Sequence, residues 1–134
     1  MTPKTWKIQT MFFNEEKTDQ PFFIRKIDQQ GILINETVYQ HSLIIANHDE
    51  ITRWELNSLD QIKPSDFDWF DQKPFEVIII GTGQLTQPLP LDIRKWFIQK
   101  QLPIEVMTSK TAAQTYNILA SDHRNVGLAL IFDW

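Results

Sequence analysis

Phe75-Glu76-Val77-Ile78-Ile79-Ile80-Gly81-Thr82-Gly83 is the stretch from which the fold is read. Val77 to Ile80 form the longest run of β-branched residues in the chain. Such a run is apolar on both faces, which suits a central strand covered from both sides. Gly81 and Gly83 end it, where the backbone bends freely and another backbone can come close. Pro88 and Pro90 then lead rigidly into a helix-like segment, about Leu91 to Gln101, with Ile93, Trp96 and Phe97 at three-to-four spacing. Pro103 stops it, and Pro103-Ile104-Glu105-Val106-Met107 reads as a second apolar strand. Strand, glycine turn, helix and strand make a βαβ unit, for which a right-handed crossover is expected.

Downstream of this unit, Thr108 or Ser109 caps a second helix running to about Ala120. Ala112, Ala113, Tyr116 and Leu119 give it a face that can lie close to a sheet. Ser121 to Asn125 is a turn, and Val126 to Phe132 is a last strand, apolar enough to be interior. Upstream, Pro64-Ser65-Asp66 opens a short helix with Phe67 and Phe70 on one face, and Asp71 to Pro74 ends it. The first half shows no clear helix. Lys4 to Gln9 reads as a short edge strand, Asn14 to Gln20 as a loop and Phe22 to Ile27 as a strand. Asp28-Gln29-Gln30-Gly31 is a turn into an unbroken strand, Ile32 to Tyr39. Ser42 to Ala46 and Ile51 to Leu56 are two more strands, around the polar turn Asn47 to Glu50. The first half is thus an antiparallel meander. No linker or repeat interrupts the chain, so residues 1–134 are expected to form one domain.

Composition excludes several classes of function. The net charge is −4 without any basic run, which argues against nucleic acid. No apolar run approaches the roughly 20 residues of a membrane span. With no cysteine there is no disulfide, thiolate ligand or cysteine nucleophile, and a reducing, cytoplasmic setting is expected.

The candidates for chemistry are few. Gly81-Thr82-Gly83 after a buried strand is similar to the start of a dinucleotide fingerprint. The third glycine would fall at Thr86, however, and Glu105 lies inside its strand instead of at the strand end. A tight turn is the better reading. His41, His48 and His123 sit at strand ends or turns, and none has a partner at helical ligand spacing, so no metal site is expected. No serine has the setting of a nucleophile elbow. Asp66, Asp68 and Asp71 read as solvated charges. Thr108, Thr111, Thr115, Asn117 and Arg124 are polar residues on or beside the second helix, and Asn117 and Arg124 are expected to tie down its last turn. The glycine turn and the start of that helix lie at the carboxyl ends of neighbouring strands, where ligand clefts form in open sheets. Gly81, Thr82, Gly83, Thr108 and Ser109 are therefore the expected ligand-binding residues, suited to a small anion. No catalytic residue and no cofactor is expected.

Glu76 to Gly83, Ile104 to Met107, Thr111 to Leu119, and Arg124-Asn125-Val126 with Ala129-Leu130-Ile131 carry a resemblance. The second half resembles the Mth938-like family, a widespread domain of unknown function. Its members include the mitochondrial complex I assembly factor 3 and an adipogenesis-associated protein. The resemblance implies an α/β fold of three layers (β/β/α) with a central mixed sheet. Helices would lie on one side of that sheet, and β structure from the first half on the other. Two positions depart from the family pattern: Thr108 stands where an acidic residue is usual, and Asp122-His123 where Glu-Gly is usual. The resemblance brings no reaction, cofactor or catalytic residue. The expected role is a non-enzymatic binding or assembly-accessory domain with a protein partner. The alternative is an enzyme or small-anion binder using the cleft between the glycine turn and the second helix.

Overall fold

The computed structural model describes residues 22–47, 50–72 and 74–134. The strand expected at Lys4 to Gln9, the loop at Asn14 to Gln20 and His48 lie outside these residues. The described chain forms strands β1 (Ile24–Asp28), β2 (Gly31–Ile34), β3 (Thr37–Tyr39), β4 (Leu43–Asn47) and β5 (Glu50–Arg53). Two 3₁₀ segments follow, Leu59–Gln61 and Pro64–Gln72. Then come β6 (Val77–Gly81), α1 (Leu91–Lys100), β7 (Ile104–Met107), α2 (Ser109–Ser121) and β8 (Val126–Leu130). Among the described residues no helix is long and apolar enough to cross a membrane.

Five strands make the central sheet, in the order β5-β4-β8-β6-β7. β6 pairs in parallel with both β7 and β8, and β8 pairs antiparallel with β4, so the sheet is mixed. Ile78, Ile79 and Ile80 are completely buried, as a doubly covered strand requires. Alternation along β6 sends Ile78 and Ile80 to one face and Ile79 to the other. Ile78 and Ile80 pack with Ile93 and Phe97 of α1 and with Phe67, Phe70 and Phe75. Ile79 packs with Ala112, Ala113 and Tyr116 of α2 and with Ile24, Ile27, Ile32 and Ile34 of β1 and β2. The mixed central sheet in three layers is as expected. The two helices, however, lie on opposite faces, and α2 shares its side with the small sheet. The strand order explains this. β6 to β7 steps outward to the sheet edge, while β7 to β8 steps back past β6. Crossovers of one hand that run in opposite directions place their helices on opposite faces.

Three elements upstream of β6 differ from expectation. The strand expected from Ile32 to Tyr39 is broken at Asn35-Glu36, giving a separate three-stranded sheet β1-β2-β3. Asn35 adopts φ 54°, a left-handed conformation that asparagine tolerates. Its side chain and backbone hold Phe23 from both sides: Phe23 N donates to Asn35 Oδ1 (2.9 Å) and Asn35 N to the Phe23 carbonyl (2.9 Å). The strand expected at Ile51 to Leu56 ends at Arg53, because Trp54 and Leu56 turn inward and are buried. The helix expected after Pro64 is a 3₁₀ helix. Three residues per turn align Phe67 with Phe70, and their rings stack 5.7 Å apart.

Candidate functional site

The carboxyl ends of β6 and β7 meet where their chains depart to opposite faces of the sheet, the arrangement at which open α/β sheets form ligand crevices. Here the structure brings together Gly81, Thr82, Gly83, Thr108 and Ser109. Gly81 has no room for a Cβ, since one built there would lie 2.7 Å from the Ser109 Cα. Gly83 has φ +99°, which a side chain would strain. Thr108 is the N-cap of α2, its side chain accepting from Thr111 N (3.3 Å).

The polar groups of this junction are turned on one another. Thr82 N donates to the Met107 carbonyl and Ser109 N to the Gly83 carbonyl, each at 2.9 Å. The buried Ser109 hydroxyl accepts from Gly83 N (2.8 Å) and donates to the Ile131 carbonyl (2.6 Å). Thr82 Oγ1, also buried, donates to the Leu85 carbonyl (2.6 Å). The donors that sequence places at this turn therefore serve as a clasp among β6, α2 and the chain leaving β8.

A cleft of about 660 Å³ opens at the same end of the sheet, beyond β8. Its walls come from the start of β4, the end of β5 and the tail after β8. That volume falls within the range of ligand sites. Asp133 joins cleft to clasp: it lines the cleft, and its carboxylate accepts from Gln84 N (3.0 Å). Ser42 anchors the back wall, its buried hydroxyl accepting from Phe132 N (2.8 Å). The His41 ring donates through Nδ1 to the Ser42 carbonyl (2.8 Å). A carbonyl can only accept, so Nδ1 carries the proton of this bond. Trp134 stacks on Phe132, with ring centroids 5.3 Å apart. Arg53 and Glu55 pair on the rim (3.1 Å), while the side chains of Gln40, Asn57 and Gln61 add amides. Sequence reasoning did not mark this cleft. Its walls come from segments far apart in the chain, and no local motif marks them. Among the described residues no three His, Asp or Glu side chains gather as a metal-binding set.

The other polar residues of α2 are structural. Asn117 reaches across to β1 instead of closing its own helix: Ile24 N donates to its Oδ1 (3.0 Å), and its Nδ2 donates to the Ile24 carbonyl (2.8 Å). Arg124 does not sit on the last carbonyls of α2 through its side chain. It pairs with Glu76 at the start of β6 (2.9 Å). Thr115 donates to the Thr111 carbonyl within the helix (2.9 Å).

Residues 24–131 match a family profile described as "Protein of unknown function (DUF498/DUF598)". The chain is 30% identical to the "13 kDa major membrane protein" of Francisella tularensis subsp. holarctica, over 90% of this chain and 99% of that protein. It is 24% identical to the human "NADH dehydrogenase [ubiquinone] 1 alpha subcomplex assembly factor 3", over 87% of this chain. That match spans 64% of the assembly factor, so the chain covers less than two thirds of it. A Bordetella pertussis protein solved by NMR and described as "a Mth938-like domain" shares the fold, with TM-score 0.72 and 19% identity over 90% of this chain and 92% of that one.

Proposed function

Because the chain belongs to the DUF498/DUF598 family of proteins of unknown function, we propose that it is a non-enzymatic binding or assembly-accessory domain whose cleft receives a segment of a protein partner. The observation that carries this reading is the make-up of the cleft. Aromatic faces (Trp134 on Phe132) and an arginine are residue types enriched in protein–protein contacts. Arg53 and Glu55 pair with each other there, Asp133 accepts from Gln84 N, and His41 is held by a backbone carbonyl. The likeness to a protein named as an assembly factor supports the same role. We place the domain in the cytoplasm, since a chain without cysteine suits a reducing compartment. The test is a pull-down from native cell extract with the full chain, compared with the cleft variants Arg53→Glu and Trp134→Ala. A protein retained by the parent and lost from both variants, with unchanged melting temperatures, is the expected result. The same retained proteins on all three chains would overturn the assignment to the cleft.

The alternative, a small-anion site at Gly81, Thr82, Gly83, Thr108 and Ser109, draws on the position of the clasp at two strand ends and a helix N-terminus. It is tested by titrating labelled protein with phosphate and carboxylates. Saturable shifts at the amides of Thr82, Gly83, Ser109 and Lys110 would support it, and flat titrations would remove it.

A further inference from the structure

Helix α1 buries Ile93 and Phe97 against the sheet. At 100° per residue, Leu91 and Ile98 fall within about 20° of each other on the outer side of the helix, with Arg94 and Lys95 about 50° to either side of their line. Leu91 is 58% exposed and Ile98 is 74% exposed, two turns apart along one line. Arg94 and Lys95 lie between them, exposed and in no ion pair among the described residues. Asp92, the one acid of the helix, falls to the edge of this face. At the helix end Lys100 lies over the Trp96 ring, 5.8 Å from its centroid. Leu85, 71% exposed, lies in the chain leading into the helix. Single exposed apolar residues are ordinary. Here two are aligned on one helix face, with cations between them that pair with no acid among the described residues. That face contributes nothing to the cleft.

We propose that the outer face of α1 rests on an anionic lipid bilayer surface. Leu91 and Ile98 enter the boundary between headgroups and acyl chains, and Arg94 and Lys95 reach the phosphates. The pattern is that of an interfacial helix, with apolar side chains projecting between cations whose stems can snorkel. Two features favour lipid over a protein partner. The apolar contribution of two side chains falls far short of the about 800 Å² per partner that a stable protein interface buries. A bilayer surface also offers negative charge and apolar depth at every point, without shape matching, and the cytoplasmic leaflet is the anionic one. The chain as a whole carries −4, so an anionic surface repels it except where cations dominate locally, as they do on α1. This surface is distinct from the cleft, and the proposal does not rest on the partner reading.

The experiment is flotation of the full chain with vesicles of phosphatidylcholine alone, and of phosphatidylcholine mixed with phosphatidylglycerol. Binding is expected only to the mixed vesicles and should weaken as salt is added. Arg94→Gln and Lys95→Gln should each weaken binding about fivefold, the factor matching ~1 kcal/mol per cation near an anionic surface. Ile98→Asp should lower it by about tenfold or more. Ile118→Asp, which changes an equally exposed apolar residue on α2, should leave it unchanged. Circular dichroism melts of each variant separate lost binding from lost folding. Absence of flotation with the mixed vesicles would overturn the proposal and return this face to a protein partner. Equal loss in Ile98→Asp and Ile118→Asp would overturn the assignment to α1.

Discussion

Ile79 is fully enclosed between β1, β2, α2 and β8, and nothing around it can collapse without moving a strand or helix. Ile79→Ala should cost about 2 to 4 kcal/mol, from lost transfer energy and the cavity left behind. Chemical denaturation checks this, and a change below about half a kcal/mol would deny Ile79 its place in the core. Tyr116 lies in the same cluster, and its hydroxyl is buried with no hydrogen-bond partner among the described residues. Burial pushes its pKa from 10.0 to about 12. The folded state therefore holds that proton more tightly than the unfolded chain. The associated stability is intact below about 10 and is lost as pH rises toward about 12. Tyr116→Phe should flatten that loss. At neutral pH it should leave stability unchanged or raise it, since it removes a buried hydroxyl that bonds nothing. Urea midpoints near pH 8 and near pH 11 for both proteins test this, and an equal alkaline fall in the two would count against it. At this scale the sequence was readable where one residue type answers one demand. Glycine at 81 and 83 answers close approach and a positive φ. The partners of those glycines, Ser109, Ile131 and Asp133, were not readable, because only the finished fold brings them together.

Ser109 opens α2, and its side chain spans the clasp between β6 and the chain after β8. Ser109→Ala leaves Gly83 N and the Ile131 carbonyl without that hydroxyl in a buried place. A loss of about 1 to 3 kcal/mol is expected. Denaturant unfolding measures it, and a loss within about 0.3 kcal/mol would mean that these groups find other partners at no expense. The elements around this clasp, β6, α1, β7, α2 and β8, follow from strong local signals: a β-branched run, a three-to-four stripe, prolines at the boundaries and a threonine cap. The first half is harder to read. Asn35 alone breaks what alternation presents as one strand, through a left-handed turn fixed by its bonds to Phe23. The 3₁₀ geometry at Pro64–Gln72 follows from the aromatic packing it serves, which local propensity does not encode.

At the scale of the whole molecule, the described residues form two cores, one on each face of the central sheet. Asn117 fastens the small sheet to α2 through both backbone groups of Ile24. Asn117→Ala should therefore speed amide exchange in β1, β2 and β3 while leaving β6 and β8 protected. Uniform acceleration across both sheets would instead mean that they open as one unit. Three layers about a mixed central sheet were legible through resemblance, but the side taken by each helix was not, because it depends on the order of strands in the sheet. That order has a further consequence during synthesis on the ribosome. β8, the last of the described strands to be made, is inserted between β4 and β6 and joins them. Until it emerges, the sheet exists only as two unconnected pieces, β4 with β5 and β6 with β7, each exposing an edge that β8 will cover. From the completion of β6 until β8 emerges, the nascent chain thus carries its longest β-branched strand uncovered on one side, and a stall or premature stop before Val126 leaves a product prone to edge-to-edge association instead of a smaller folded domain.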